Sequence, residues 1–354
     1  MPIDSDYYDS RLKSMEKEYF TYDDICLVPQ YSTVSSRNDV DLTSGKLKLK
    51  IPVIAANMDT VTESKMAVAM YQSGGLGILH RFMSFDKLRQ EVEIFYKNVP
   101  NAYENLALSV GTNDASYEIL DYVLEKSKIV CIDIAHGHSE QVIRLIDKIK
   151  SKNTNSLVIA GNVATSEGVH DLAIAGADIV KVGVGGGSVC STRVVTGHGV
   201  PQFSAVLECS QEAKKHNVEI IADGGIKTSG DLAKSFAAGA DYAMLGSLFA
   251  ATEESPGDLI IIDGQQYKCY RGMASLEAQV TIGKEQTKVV PEGVMHYKPY
   301  KGSVGMVLYQ LAGGLRSALS YSGAHTIPEF KEKARYIRVT SASFIEGKPH
   351  GLLN

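Results

Sequence analysis

The sequence has few of the features that would direct it to a membrane, a nucleic acid or an oxidising compartment. No apolar stretch in its 354 residues approaches the length of a membrane span, and residues 1–20 carry too much charge for a secretory leader. There is no sustained Lys/Arg run and the formal net charge is -5, so the electrostatic case for nucleic acid is missing. Five cysteines occur (Cys26, Cys131, Cys190, Cys209 and Cys269), odd in number, scattered and without CxxC spacing. That argues against a disulfide framework or a structural zinc site, and for a reducing cytoplasm where a thiol can act as a reagent. No Pro- or Ser-rich linker marks a boundary, so a single domain is expected over 1–354.

What the chain does have is a rhythm. Short runs rich in Val, Ile, Leu and Ala fall at 53–56, 75–79, 106–110, 129–132, 157–160, 179–182, 219–222 and 242–245. Each reads as a strand buried on both faces, because polar alternation is slight. Helical patterns lie between them. In the clearest, 139–150, Val142, Leu145, Ile146 and Ile149 form one apolar face and Ser139 is the expected N-cap. Two helix–strand joints repeat: Ala-Gly-Ala-Asp ends a helix at 175–178 and again at 238–241, with the glycine where a helix stops. Eight strands alternating with helices predict a closed (β/α)8 TIM barrel, with an open doubly wound sheet as the alternative. The barrel is expected at roughly 51–251 plus 303–320. A flap insertion at roughly 252–300 would fold over its mouth, a tail would follow at 321–354, and residues 1–19 would form a surface helix or arm.

Function in such a barrel collects where strands end. Reading past each run gives Asn57-Met58-Asp59, His80-Arg81, Gly111-Thr112, Asp133 with His136, Gly161-Asn162, the loop from Gly183 to Arg193, Asp223-Gly224-Gly225 and Gly246-Ser247. In the sixth of these, four glycines are followed at once by Ser188, Cys190 and Thr192 on alternate residues. Backbone amides of Gly224-Gly225 and Gly246-Ser247 suit a phosphate, to which Ser188 could add a hydroxyl. Asp223 could accept from ribose hydroxyls, which together imply a nucleotide. Cys190 is the candidate nucleophile, its thiolate favoured by loop amides and nearby Arg193 and suited to an electron-poor ring carbon such as purine C2; Thr192 could relay a proton. The plainer alternatives are a flexible turn beside an inert cysteine, and ordinary turns with Asp223 as an N-cap. Cys131, inside a strand, is expected in the core. His136 and His138 lack a third ligand, and His198, His216, His325 and His350 are expected in solvent, so no histidine metal site is proposed from sequence.

The residues Ala55-Ala-Asn-Met-Asp-Thr-Val61, Gly161-Asn-Val163, the Gly183–Arg193 loop, Ile221-Ala-Asp-Gly-Gly-Ile226, Gly246-Ser-Leu-Phe-Ala250, Glu253-Glu-Ser-Pro-Gly257, Tyr270-Arg-Gly-Met273 and Gly313-Gly-Leu-Arg-Ser317 carry a resemblance over nearly the whole chain. It is to the inosine-5′-monophosphate dehydrogenase / guanosine-5′-monophosphate reductase family. The resemblance implies a (β/α)8 barrel, a homotetramer, a covalent thioimidate between Cys190 and purine C2, and a nicotinamide cofactor. It implies nucleotide contacts from Met58, Asn162, Ser188, Asp223, Gly225, Gly246, Ser247, Tyr270, Gly272 and Met273. Cofactor contacts are implied for Asp133, His80, Arg81 and Ser275, and a potassium ion for the carbonyls of Gly185, Gly187 and Cys190.

Two branches share this chemistry. The dehydrogenase branch hydrolyses the intermediate with an Arg-Tyr pair on its flap, whereas residues 274–292 contain neither; Lys284 or Lys288 would need large pKa shifts to substitute. The reductase branch protonates a departing amine with a Thr two residues after the cysteine and a flap Glu, matched by Thr192 and Glu292. The form Ala-Asn-Met-Asp and the lack of the inserted regulatory module agree with it. Val290-Pro-Glu-Gly-Val294 and Pro299-Tyr-Lys-Gly302 look more like dehydrogenases, and Gly186 replaces the usual loop proline. The expected activity is NADPH-dependent reductive deamination of GMP to IMP and ammonia. The alternatives are NAD-dependent oxidation of IMP and a non-catalytic purine-nucleotide-binding regulator.

Overall fold

The structure is a computed structural model that describes residues 17–283 and 285–349. Most of the expected N-terminal arm, together with Lys284 and His350, lies outside the described residues. A short strand, β1 (Ile25–Leu27), precedes eight barrel strands: β2 (Val53–Ala55), β3 (Leu76–Leu79), β4 (Ala107–Val110), β5 (Ile129–Asp133), β6 (Leu157–Val163), β7 (Ile179–Val182), β8 (Glu219–Asp223) and β9 (Tyr242–Leu245). They run parallel in chain order and β9 pairs back onto β2, with Val53 opposite Ala243, so the sheet closes. Closure is what the doubly wound alternative lacks. Every expected run forms a strand, with ends moved by at most three residues; the longest extension is β6, which runs on through Asn162 to Val163.

Period-two geometry sorts each strand between two cores. Ile54, Ile78, Ala107, Ile129, Cys131, Ile159, Ile179, Ile221, Tyr242 and Met244 fill the lumen. Their neighbours Val53, Ala55, Val130, Ile132, Val158, Val180, Val182, Ile220 and Ala222 face the surrounding helices. With both faces buried, the strands had to be almost wholly apolar. Extending the same alternation by one inward step places Asp133, Lys181 and Asp223 in the uppermost lumen layer. The lower end is closed by Leu47 and Leu49, with Leu47 N–H donating to the Tyr242 hydroxyl, which donates to Glu219.

The helix Glu140–Lys152 buries Val142, Leu145, Ile146 and Ile149 as the pattern predicts, each contributing about 1.5–3 kcal/mol. Ser139 is the N-cap as expected, with extended backbone, although its side chain makes no capping hydrogen bond. The repeated joint has a physical cause. Gly176 and Gly239 take φ of +103° and +109° just past their helices, a conformation open to glycine. Asp178 then accepts from Val158 N–H at 2.7 Å and Asp241 from Ile220 N–H at 2.8 Å, each fastening the foot of the preceding strand.

After β9 the chain forms an antiparallel sheet of β10 (Ile260–Ile262), β11 (Gln265–Arg271) and β12 (Met295–Pro299), joined between β11 and β12 by the flap. The helix Val304–Tyr321, capped by Ser303, returns to the barrel wall, and β13 (Tyr336–Arg338) pairs with β1. Among the described residues, no helix is long and apolar enough to cross a membrane.

Candidate active site

The loop after β7 carries the exposed Cys190, held in a turn by its N–H to the Gly187 carbonyl at 3.1 Å. Its thiol lies 3.1 Å from the Thr192 hydroxyl, at the start of the helix Thr192–Thr196. The flap's return segment is laced to this loop through main chain. Cys190 bridges to Gly293, Ser191 N–H donates to the Glu292 carbonyl at 2.9 Å, and Val294 N–H donates to the Val189 carbonyl at 3.0 Å. Cys190, Thr192 and Glu292, which are up to 102 residues apart in sequence, are thus neighbours. Gly272 permits this crossing: a Cβ there would stand 2.9 Å from the Val189 carbonyl oxygen. Arg193, expected to act on the thiol, is committed elsewhere, donating to the Val200 carbonyl at 2.6 Å.

Beside the cysteine loop, Tyr270 of β11 is buried, with its hydroxyl toward Met58 sulfur and Ser188. Burial pushes its phenol up to about 12, against a smaller opposing effect of Ser188. Among the described residues, no protein acceptor pairs with the amide N–H of Gly225, Gly246 or Ser247. Lys298 of β12 reaches the Ser247 hydroxyl and lies 5.7 Å from the Tyr270 ring centre. Partial burial lowers the pKa of Lys298, and Lys301 lowers it further; among the described residues neither lysine has a carboxylate partner. Open amides, hydroxyls and an uncompensated cation make a cradle suited to a phosphate. Lys298 was missed in the sequence because it sits in an ordinary-looking alternation of β12.

The lumen's top layer supplies the other side. Lys181, 1% exposed, donates to Asp133 at 2.7 Å and stands 3.6 Å from Asp223. Burial opposes the charge on each partner, yet their mutual attraction outweighs it: the Asp133 carboxyl is held below its usual range and the Lys181 ammonium above. Asp223 also accepts from the Asn162 amide at 2.8 Å, and that amide donates to the Gly183 carbonyl at 2.9 Å. Lys181 was assigned no role from sequence. A single charge inside an otherwise apolar strand was the available signal, since a buried ammonium requires partners.

Arg81 donates to the Asp133 main-chain carbonyl at 3.3 Å and so joins that side of the site. His80 does not: it is 2% exposed, its Nδ1 accepts the Phe82 N–H, and its Nε2 lies 3.6 Å from Glu63. Ser275 is buried, and its hydroxyl caps the helix Leu276–Thr281 by accepting from Ala278 N–H. Met273 sulfur accepts the Asp59 N–H at 3.3 Å, tying the flap to the β2 loop. Backbone oxygens of Gly185, Gly187 and Cys190 are the donor type a hard monovalent cation takes, and the Gly187 carbonyl already accepts the Cys190 N–H. Cys131 and Cys209 are buried, and desolvation pushes both thiols up to about 12, which leaves them inert beside Cys190.

A family model described as the IMP dehydrogenase / GMP reductase domain matches residues 19–350. An inosine-5′-monophosphate dehydrogenase of Nitrosopumilus maritimus is 35% identical over 471 aligned positions, covering 95% of this chain and 99% of that protein. That of Borreliella burgdorferi is 39% identical over 397 positions, covering 96% and 98%. Both alignments have more positions than this chain has residues, so both relatives carry inserted sequence absent here. Among solved structures, a variant GMP reductase of Trypanosoma brucei in complex with guanosine 5′-monophosphate superposes with a TM-score of 0.87 at 30% identity, covering 96% of this chain and all of that one.

Proposed function

The chain belongs to the IMP dehydrogenase / GMP reductase family, and from that premise we propose that it is a GMP reductase, converting GMP to IMP and ammonia with NADPH. The observation that carries this reading is what the flap brings to Cys190. It brings Glu292 to a loop that already holds Thr192 beside the thiol, and within 274–292 it holds no arginine or tyrosine to activate water. The nearest flanking arginine, Arg271, gives Nε–H to Asp59 at 2.9 Å; burial works against its charge, but Asp59 holds the guanidinium above its usual range. An arginine so paired cannot serve as a base. Lys288 is paired with Glu285 at 2.8 Å and projects into solvent.

In this reading the phosphate rests on Gly225, Gly246, Ser247, Ser188, Tyr270 and Lys298, and Asp223 with Asn162 takes the ribose. Met58, Gly272 and Met273 would border the base. The Cys190 thiolate bonds to C2; the C2–N bond then breaks as the amine takes a proton from Glu292 through Thr192 and leaves as ammonia. A reduced nicotinamide, held near Asp133 and Arg81, supplies the hydride that C2 needs when bound. Cleavage of the C2–S bond returns its electron pair to Cys190. Over the cycle GMP, NADPH and two protons give IMP, NADP+ and ammonium. Carbonyls of Gly185, Gly187 and Cys190 would hold potassium, and a homotetramer follows from the same family pattern.

The second reading, NAD-dependent oxidation of IMP, is favoured by the names of the sequence relatives and by the Pro-Glu-Gly segment at 291–293. Incubation with GMP and NADPH, following cofactor absorbance and ammonia, separates the two. Oxidation with ammonia release supports the reductase; NAD reduction by IMP to give XMP overturns it, and binding without either reaction leaves a regulator.

Glu292→Gln is expected to lower kcat for deamination by roughly 10²-fold, the lower end of acid–base contributions, with little change in KM. An equal rise in KM would instead assign Glu292 to binding. Lys298→Met is expected to raise KM for the mononucleotide about 10-fold, the size of one charge-assisted hydrogen bond, and to leave kcat within about two-fold. A control with the unphosphorylated nucleoside should show no such difference; if it does, Lys298 acts on the fold rather than on phosphate.

A further inference from the structure

On the outer wall of the barrel, away from the rim, three side chains from two helices converge. His170 lies on the helix Ser166–Ile174, which follows β6. Glu212 lies on the helix Gln202–Lys215, which follows the cysteine loop, and His216 caps that helix one turn later. His170 Nδ1 stands 3.1 Å from His216 Nε2 and 3.3 Å from Glu212 Oε1; His216 Nε2 stands 3.0 Å from the same oxygen. Sequence reading placed His216 in solvent, but its side chain is only 19% exposed.

We propose that His170, Glu212 and His216 form a binding site for a divalent transition-metal ion of the imidazole-preferring class, with zinc as the expected occupant. Donor atoms of a four-coordinate zinc, each bonded at about 2.0–2.1 Å, stand roughly 3.3 Å apart, and the three observed separations approach that spacing. Protons alone satisfy the triangle poorly. One N–H can serve only one of its edges well, and two N–H groups aimed at the carboxylate would oppose each other across the 3.1 Å gap. A cation satisfies all three contacts at once. Lys215 supports the arrangement by donating to Glu212 Oε2 at 2.6 Å, which leaves Oε1 as a single ligand oxygen. Two nitrogens and one carboxylate oxygen leave a fourth position for water, and the site would staple together the helices that follow β6 and β7.

The test is calorimetric titration of the full chain with Zn2+, beside His170→Ala, His216→Ala and Glu212→Gln. Exposed Cys26 and Cys190 are present in all four proteins and contribute equally. The expected result is one equivalent bound by the wild type and missing from both histidine variants, and at least tenfold weaker binding in Glu212→Gln. A rise in thermal midpoint with Zn2+ should be confined to the proteins that bind. Catalytic turnover without added zinc should match in all four, because none of these residues meets the rim. Identical stoichiometry and affinity in wild type and histidine variants would overturn the proposal and leave a hydrogen-bonded surface cluster.

Discussion

Replacing Cys190 with alanine is expected to lower turnover by on the order of 10⁴-fold or more, while affinity for a purine mononucleotide stays within a few-fold. The separation follows from where the groups lie. The Cys190 side chain is exposed and, among the described residues, its one side-chain hydrogen bond is to Thr192, so its loss opens no core cavity. The proposed phosphate cradle takes only Ser188 from this loop, and its other members come from elsewhere: Gly225 after β8, Gly246 and Ser247 after β9, and Tyr270 and Lys298 on the antiparallel sheet. The backbone ties of Cys190 to Gly187 and Gly293 do not depend on its side chain and should hold the loop in place. Steady-state rates and calorimetric binding on the same preparation make the comparison. Mass spectrometry of the trapped wild-type enzyme should show an adduct at Cys190 that the variant lacks. A variant that keeps more than a few per cent of activity would remove the thiol from the chemistry.

The architecture was legible because it is written in local patterns. Eight apolar runs became eight barrel strands since a strand buried on both faces has no other composition open to it. The Ala-Gly-Ala-Asp joints could be read as helix ends from glycine chemistry, though the reason for the aspartate became clear only when its partner, one strand earlier in the sheet, was in view. The rim residues were legible as a set for a similar reason: each lies at the end of its own apolar run or just past it. What the sequence withheld was pairing across the barrel. Lys298 meets Ser247 across 51 residues, and His170 meets His216 across 46. No spacing rule links positions on different helices or on different sheets. Ser139 shows how far a local reading reaches: it is the N-cap the pattern predicted, while its side chain leaves the helix amides uncapped. His80 followed its strand as a rim residue should, yet its ring is turned inward onto Phe82 and Glu63.

Lys181→Met is expected to destabilise the folded protein at neutral pH by roughly 3–5 kcal/mol, the penalty for leaving a buried charge without its partner. Methionine keeps the aliphatic bulk and removes the ammonium. Asp133 is then left in the top layer of the lumen beside Asp223, with the buried thiol of Cys131 below and Arg81 as the remaining nearby cation. The pH dependence has a definite sign. In the wild type, the lowered Asp133 pKa means that its contribution is complete above the unfolded carboxyl value of 3.8 and is lost as pH falls through the folded value. The raised Lys181 pKa means that its contribution is complete below 10.5 and is lost only as pH rises through the folded value. The pair therefore stabilises fully between those limits. In the variant, Asp133 has lost its main reason to ionise and can take up a proton at higher pH than before. The stability difference between wild type and variant should accordingly be widest near neutrality and narrow as pH approaches 4. Denaturant midpoints measured at a series of pH values would show this convergence, whereas a gap independent of pH would mean that Lys181 serves the lumen by packing and not by charge.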